Sequence, residues 1–328
     1  MSLKRTWRIA IFGVGHWHAA MHLDAAQHAG AEILGVWDED EDVAAAFAER
    51  HGVTALPFDG LLATAPDVAI LMGHPHRVPG QAIRLIEHVR ALILEKPAAP
   101  ATSGLDQIAA AAERHGCTIG VPFGHRVSPI LARYHELEAA GRAGRLVQLH
   151  FRIVNGAPQR YRNDNVGWLL DPAVAGGGAL RNIGIHGIDL ILNYSTGPLE
   201  IVSAQIANAI HDEAVEDYAH VVFRDCAGGI FTLETGYTFP TLAPGGDFEA
   251  RVVTTNATLI DRGMTARCAT LDDGGSEELA SRPPGSRYRD FMRDTLERLE
   301  AGVPPSVTLA DYRAAMALID AIYARARQ

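Results

Sequence analysis

The chain has 328 residues, enough for two domains and a large buried core without staples. Apolar residues make up 48% and charged residues 21%, a globular balance that fits neither a disordered nor a fibrous chain. Asp plus Glu outnumber Lys plus Arg by 39 to 29, a formal net charge of -10, which argues against a nucleic-acid partner but leaves room for a local basic pocket.

Basic residues precede the first apolar run, but that run is short and leads into a glycine turn with no cleavage site, so it reads as a first strand rather than a leader. Residues 7–12 form that strand, ending at Gly13, and a helix is expected over 16–28. A strand at 31–37 ends at Asp38, and a helix follows over 41–50. Then come a strand at 67–72, a helix at 78–88, a strand at 91–94, a helix at 103–115 and a strand at 118–122. Short, near-continuous apolar strands alternating with helices indicate a doubly wound parallel sheet. The rhythm changes near Pro122. A helix is expected over 128–140, then strands at 145–154, 199–208, 215–224, 228–236 and 248–254, several of them alternating as an antiparallel sheet does. One helix, 179–194, interrupts them, and two more close the chain at 287–300 and 309–326. The fold class is therefore α/β: a Rossmann domain over 1–122, then an α+β domain with an open, mainly antiparallel sheet over 123–328. The helix 309–326 is a candidate to pack back on the first domain.

No run approaches the length of a membrane span. The three cysteines, Cys117, Cys226 and Cys268, are widely spaced, which fits a reducing compartment and gives neither a disulfide framework nor a cysteine zinc site. A cytoplasmic location is the expectation.

Gly13-Val14-Gly15 stands between a strand and a helix, where a dinucleotide-binding turn belongs. Gly13 permits the tight turn, Gly15 lets the backbone approach a pyrophosphate, and the helix N-terminus offers free N–H groups to the anion. His18 occupies the place of a third glycine. Asp38 ends the second strand, where an acid hydrogen-bonds a ribose 2′-hydroxyl and repels a 2′-phosphate. Glu39, Asp40, Glu41 and Asp42 follow without an Arg or Lys among them, which favours NAD over NADP.

Three further segments resemble the glucose–fructose oxidoreductase/inositol dehydrogenase (Gfo/Idh/MocA) family. Glu95-Lys96-Pro97 resembles its E-K-P signature. Residues 176–189, from Gly176 to Asp189, resemble its G-G-G-x-x-x-D-x-G-x-H-x-x-D segment. Residues 121–126, with Gly141 and Gly144 downstream, resemble its domain-crossing strand and turn. The resemblance implies a nicotinamide lying between the two domains and hydride exchange with a secondary alcohol or ketone of a sugar, inositol or related polyol. It implies Lys96, Asn182 and His186 as the catalytic group, and a homo-oligomer paired through the open sheet. Asn182 departs from the family's Asp. It can still orient the imidazole of His186, four residues on, but it carries no charge to stabilise an imidazolium. His186 is therefore expected to be less basic than in relatives with Asp. Lys96 would stabilise developing alkoxide charge and His186 would move the hydroxyl proton. Asp189 reads as a structural acid.

In the loop 73–79, Pro79 stands where relatives carry a His, and His74 and His76 are extra. The expected cofactor contacts are Gly13, Gly15, His16, Trp17, His18, Asp38, Gly73, His74, Pro75, His76, Glu95 and Lys96. The imidazoles here match no standard metal spacing, and no metal is expected. Candidate substrate contacts are His125 and Arg126 at the domain junction, Arg160, Tyr161, Arg162 and Trp168 in the segment before the catalytic helix, and Asn182 itself. Two other readings stay open. One is a redox-neutral enzyme that retains NAD and cleaves a glycosidic bond through transient oxidation. The other is a dinucleotide-binding sensor without chemistry.

Overall fold

The computed structural model describes residues 5–272 and 274–327. Contacts divide the chain into two units. The first comprises the chain up to Pro122 together with Asn163–Gly176 and Tyr288–Arg313, and the second comprises Phe123–Arg162, Gly177–Arg287 and the chain from Ala314. Two segments that follow residue 123 in the chain thus group with the first unit by contacts. The reason is apolar burial: Phe291, Met292, Leu296 and Leu299 join the core built by Trp7, Ile9, Ile11 and Ile70. The last helix, Leu309–Ala326, starts in the first unit and ends in the second.

The first unit holds a five-stranded parallel sheet of β1 (Arg8–Phe12), β2 (Glu32–Trp37), β3 (Val68–Leu71), β4 (Ala91–Leu94) and β5 (Thr118–Gly120), in the order β2-β1-β3-β4-β5. Every residue of β3 and β4 is buried, as sheets covered on both faces require. The strand order reverses beside β1, which sets a ligand crevice at the carboxyl ends of β1 and β3. The first helix runs over Ala19–His28, not from residue 16. The Gly15 N–H is held by Asp38 and the His18 N–H by the His16 ring, so residues 14–18 wind as separate turns. A short helix at Phe58–Ala63 was not foreseen.

The second unit holds an eight-stranded sheet of β6 (Leu146–Gly156), β7 (Glu200–Ala207), β8 (Tyr218–Arg224), β9 (Ile230–Phe239), β10 (Gly246–Thr254), β11 (Ala257–Asp261), β12 (Ala266–Thr270) and β13 (Ser276–Leu279). Its order is β13-β12-β11-β10-β6-β9-β8-β7, and only the central β6–β9 pairing is parallel. One face of β8 and β9 is buried through Val221, Phe223, Phe231 and Leu233, the alternation of a half-covered sheet. The expected helix over 179–194 divides into a π-turn at Leu180–Gly184 and an α-helix at Ile185–Tyr194. Glu216 ties its start to β8's flank by accepting from the Gly178 and Leu180 N–H groups at 2.8 and 3.0 Å. A Cβ on Gly187 would lie 2.5 Å from Phe151 and 2.6 Å from Leu233, so this glycine lets the helix lie directly on the sheet.

Candidate active site

In the first unit, the loops after β1, β2 and β3 meet. Gly13 has φ +85°, and a Cβ there would lie 1.9 Å from the Met72 carbonyl oxygen, so only glycine makes this turn. The Gly15 N–H donates to Asp38 at 2.7 Å, and the Asp40 N–H donates to the other Asp38 oxygen at 3.1 Å. Burial raises the Asp38 pKa, while these two amides oppose the rise. Asp38, Gly13, Gly73, His74 and Gln81 line one open pocket. Glu39, on its rim, accepts from Gln81 at 2.7 Å and pairs with Arg77. The fold thus brings a cation to the acidic turn that the local sequence lacks, and Glu39 neutralises it.

His16 follows the turn and is buried. Its Nδ1 accepts from the His18 N–H at 3.2 Å, so Nε2 carries the proton. Burial, then the neighbouring His18, hold its pKa well below the ordinary imidazole value. This buried Nε2–H has no hydrogen-bond partner among the described residues. An acceptor-rich ligand at the glycine turn would satisfy it. The side-chain-free turn, the acid at the end of β2 and this donor fit a dinucleotide.

Glu95, at the end of β4, is 1% exposed and is met by four donors. Its Oε1 accepts from the Lys96 N–H at 2.8 Å. Its Oε2 accepts from Tyr288 at 2.8 Å and meets His22 Nε2 at 2.9 Å and His18 Nδ1 at 3.3 Å. Burial alone would raise its pKa, but His18 and His22 hold it well below the carboxylate range. Because Tyr288 gives its proton to Glu95, its oxygen accepts from His18 Nδ1 at 2.7 Å. Lys96 beside this cluster is 3% exposed, and burial lowers its pKa to about 8 against the opposing pull of Glu95. The sequence contains only two lysines, Lys4 and Lys96, among 29 basic residues. Unlike the guanidinium of an arginine, a buried ammonium can lose its proton.

In the second unit, the π-turn carries Asn182 and the following helix carries His186, both set over the sheet by the glycines around them. The Asn182 amide donates to Tyr237 at 2.9 Å, and both residues are buried. Tyr161 packs edge-on against Tyr237 at 5.0 Å and accepts from Asn155. His186 lies edge-on to His125 at 5.0 Å and to Phe123 at 5.8 Å. Asp189 is buried and holds Arg126 through two bonds of 2.8 and 2.5 Å.

Of the substrate candidates in the second unit, His125 lies against His186, Tyr161 and Asn182 both meet Tyr237, and the Arg160 guanidinium lies 5.6 Å from the Tyr161 ring centre. Arg126 is taken up by Asp189, and the exposed Arg162 is taken up by Glu213 at 2.6 and 2.7 Å. Trp168 groups with the first unit, stacked on His74 at 5.2 Å and 6.1 Å from Trp17. Of the four histidines expected at the cofactor, His74 pairs with His76 at 5.9 Å, His16 stacks on Trp17 at 3.8 Å and His18 meets Glu95. Among the described residues no group of three His, Cys, Asp or Glu side chains could hold a metal ion, and no described helix is long and apolar enough to cross a membrane. Sequence reasoning missed Tyr288, Tyr237 and Glu216. His22 was findable, because it stands four residues after His18 on the same helix.

Comparison with known proteins matches residues 7–123 to the NAD-binding Rossmann fold of an oxidoreductase family and residues 131–260 to the GFO/IDH/MocA C-terminal domain. A 1,5-anhydro-D-fructose reductase of Ensifer adhaerens is 25% identical over 303 residues, covering 88% of this chain and 87% of its own. Among solved structures, levoglucosan dehydrogenase in complex with NADH and levoglucosan superposes with a TM-score of 0.85 at 18% identity, over 98% of this chain and 97% of that one. The WlbA dehydrogenase from Bordetella pertussis, in complex with NADH and UDP-GlcNAcA, gives 0.81 at 20% identity, over 99% and 96%. With both family models matched across more than half of its length, the chain belongs to the GFO/IDH/MocA oxidoreductases and carries their NAD-binding Rossmann domain.

Proposed function

We propose that this oxidoreductase exchanges a hydride between NAD and a secondary alcohol or ketone on a sugar or related polyol. The observation that carries the reading is Lys96: buried, beside an ionised carboxylate, with its pKa lowered to about 8. A buried ammonium is costly to fold around and suits a site where negative charge develops. The named sugar substrates of the similar reductase and dehydrogenases support the substrate class.

NAD, held by Gly13, Gly15, His16, Asp38 and His74, would supply the hydride acceptor or donor. In oxidation, His186 takes the hydroxyl proton as the carbon loses its hydride. The Lys96 ammonium is suited to stabilise negative charge growing on a substrate oxygen. Asn182, whose amide donates to Tyr237, adds no charge four residues before His186. In reduction the proton runs back from His186.

The test is NADH formation, followed by its near-ultraviolet absorbance, with NAD against sugars, inositols, sugar acids and their phosphates. Turnover with one polyol class is expected, and His186→Ala should lower it by about 100-fold or more while NAD binding is kept. Full activity in His186→Ala would remove the proposed proton carrier.

A further inference from the structure

The turn Gly124–Val127 places the His125 ring in a clamp within the second unit. The ring stacks on Phe248 at 5.1 Å and 29° and meets Phe151 edge-on at 5.1 Å and 89°. Its third aromatic neighbour is His186, 5.0 Å away. Behind it, Arg287 Nη1 lies 2.9 Å from His125 Nδ1. Arg287 is 5% exposed, and its Nη2 donates to Asp261, which is fully buried, at 3.0 Å. Its Nε donates to the Arg282 carbonyl at 2.7 Å, and Asp261 also accepts from the Gly263 N–H at 2.8 Å. Asp261 ends β11 and Arg287 opens the helix Pro284–Ala301, so the pair is anchored on two different elements.

A guanidinium has five donors and no acceptor, and it stays protonated in proteins. The contact at Nδ1 can therefore only be a bond from Arg287 into a nitrogen lone pair. The proton of a neutral His125 must then sit on Nε2. Protonating Nδ1 would break that bond and set an imidazolium against a guanidinium whose one counter-charge is already engaged. Arg251 is the charged residue lining the small cavity beside His125, and it is met by Glu249.

We propose that the Asp261–Arg287 pair locks His125 as a neutral Nε2–H donor, making it a positioning residue for His186 and not a second proton acceptor. Of the two adjacent imidazoles, only His186 then exchanges a proton in turnover. This rests on the role given to His186 above, but its test needs no turnover.

The ring nitrogens of His125 report it directly. Uniformly ¹⁵N-labelled protein, with the signal assigned by His125→Gln, should show a bare Nδ1 and a protonated Nε2. These should stay unchanged from about pH 5.5 to 8.5, across the range where a free imidazole titrates. The double variant Arg287→Met/Asp261→Asn removes both buried charges together. In it His125 should titrate within that range and populate both tautomers. Arg287→Lys alone, which keeps a donor and leaves Asp261 in place, should keep the lock. A protonated Nδ1 or a titration of His125 in the unaltered protein overturns the proposal, and so does an unchanged tautomer in the double variant. Should the double variant not fold, the unaltered protein still decides. An inactive protein whose His125 is locked would fail the proposed function and leave this inference standing.

Discussion

Lys96 shows how far a site residue can work against the fold that holds it. Its pKa falls from an ordinary 10.5 to about 8 because burial disfavours the ammonium. Between those two values the unfolded chain binds more protons than the folded one, so this group makes stability rise with pH across the window. Below pH 8 the full cost is present, on the order of 3 kcal/mol at most. Glu95 does not depend on the ammonium, since Tyr288, His18, His22 and the Lys96 N–H already meet it. Lys96→Met should therefore stabilise the protein at pH 7 by about 1–2 kcal/mol while abolishing turnover. Urea unfolding at pH 7 and pH 10 checks both sign and window, because the advantage should shrink at the higher pH. Asn182 makes the complementary case. Asn182→Asp would place a carboxylate four residues before His186 and favour its imidazolium. The acid limb of oxidation, where His186 must be unprotonated, should move up by about one pH unit. A pH–rate profile whose acid limb stays in place would mean that residue 182 does not act on His186.

The helix Ile185–Tyr194 lies where it does because glycines remove the side chains that would hold it off the sheet. Gly187 is the sharpest instance, with two sheet residues inside 3 Å of the missing Cβ. Gly187→Ala should cost about 1–3 kcal/mol through overpacking and lower turnover by displacing His186. A urea midpoint equal to that of the parent would show that the helix can rise without loss. At Gly30 and Gly52 an added Cβ would meet nothing within 4 Å, although their positive φ carries its own strain. Strands β1 to β5 were legible because each is a short apolar run ended by a glycine or an acid. Strands β11 to β13 were not, since residues 257–279 mix polar and small side chains and β13 is almost wholly exposed. The π-turn under Asn182 left no mark in the sequence either. It comes from Glu216 capping the helix start from 36 and 38 residues away.

At the scale of the molecule, the motifs exposed Lys96, Asn182 and His186, while their supports stayed hidden in long-range contacts. Tyr288 reaches Glu95 across 193 residues, and Tyr237 reaches Asn182 across 55. No local period records such pairs. The cofactor reading draws on both kinds of information. Asp38 was read as an acid at the end of a strand, and the fold adds that two backbone amides pin its carboxylate while Glu39 cancels Arg77. A pinned acid cannot swing away from a 2′-phosphate, and a cancelled arginine offers that phosphate little. NAD at about 100 times its dissociation constant should add about 2.7 kcal/mol to the stability of the protein. For a protein of this size that is a rise of roughly 4 °C in the thermal midpoint. NADP at the same concentration should give a clearly smaller rise. Replacing Glu39 by Gln frees Arg77 without touching Asp38, so NADP should gain on NAD while the effect of NAD itself stays nearly constant. Equal shifts with the two dinucleotides in the unaltered protein would show that the acidic rim does not read the 2′ position. The NAD-binding turn would then be working through the glycines and His16 alone.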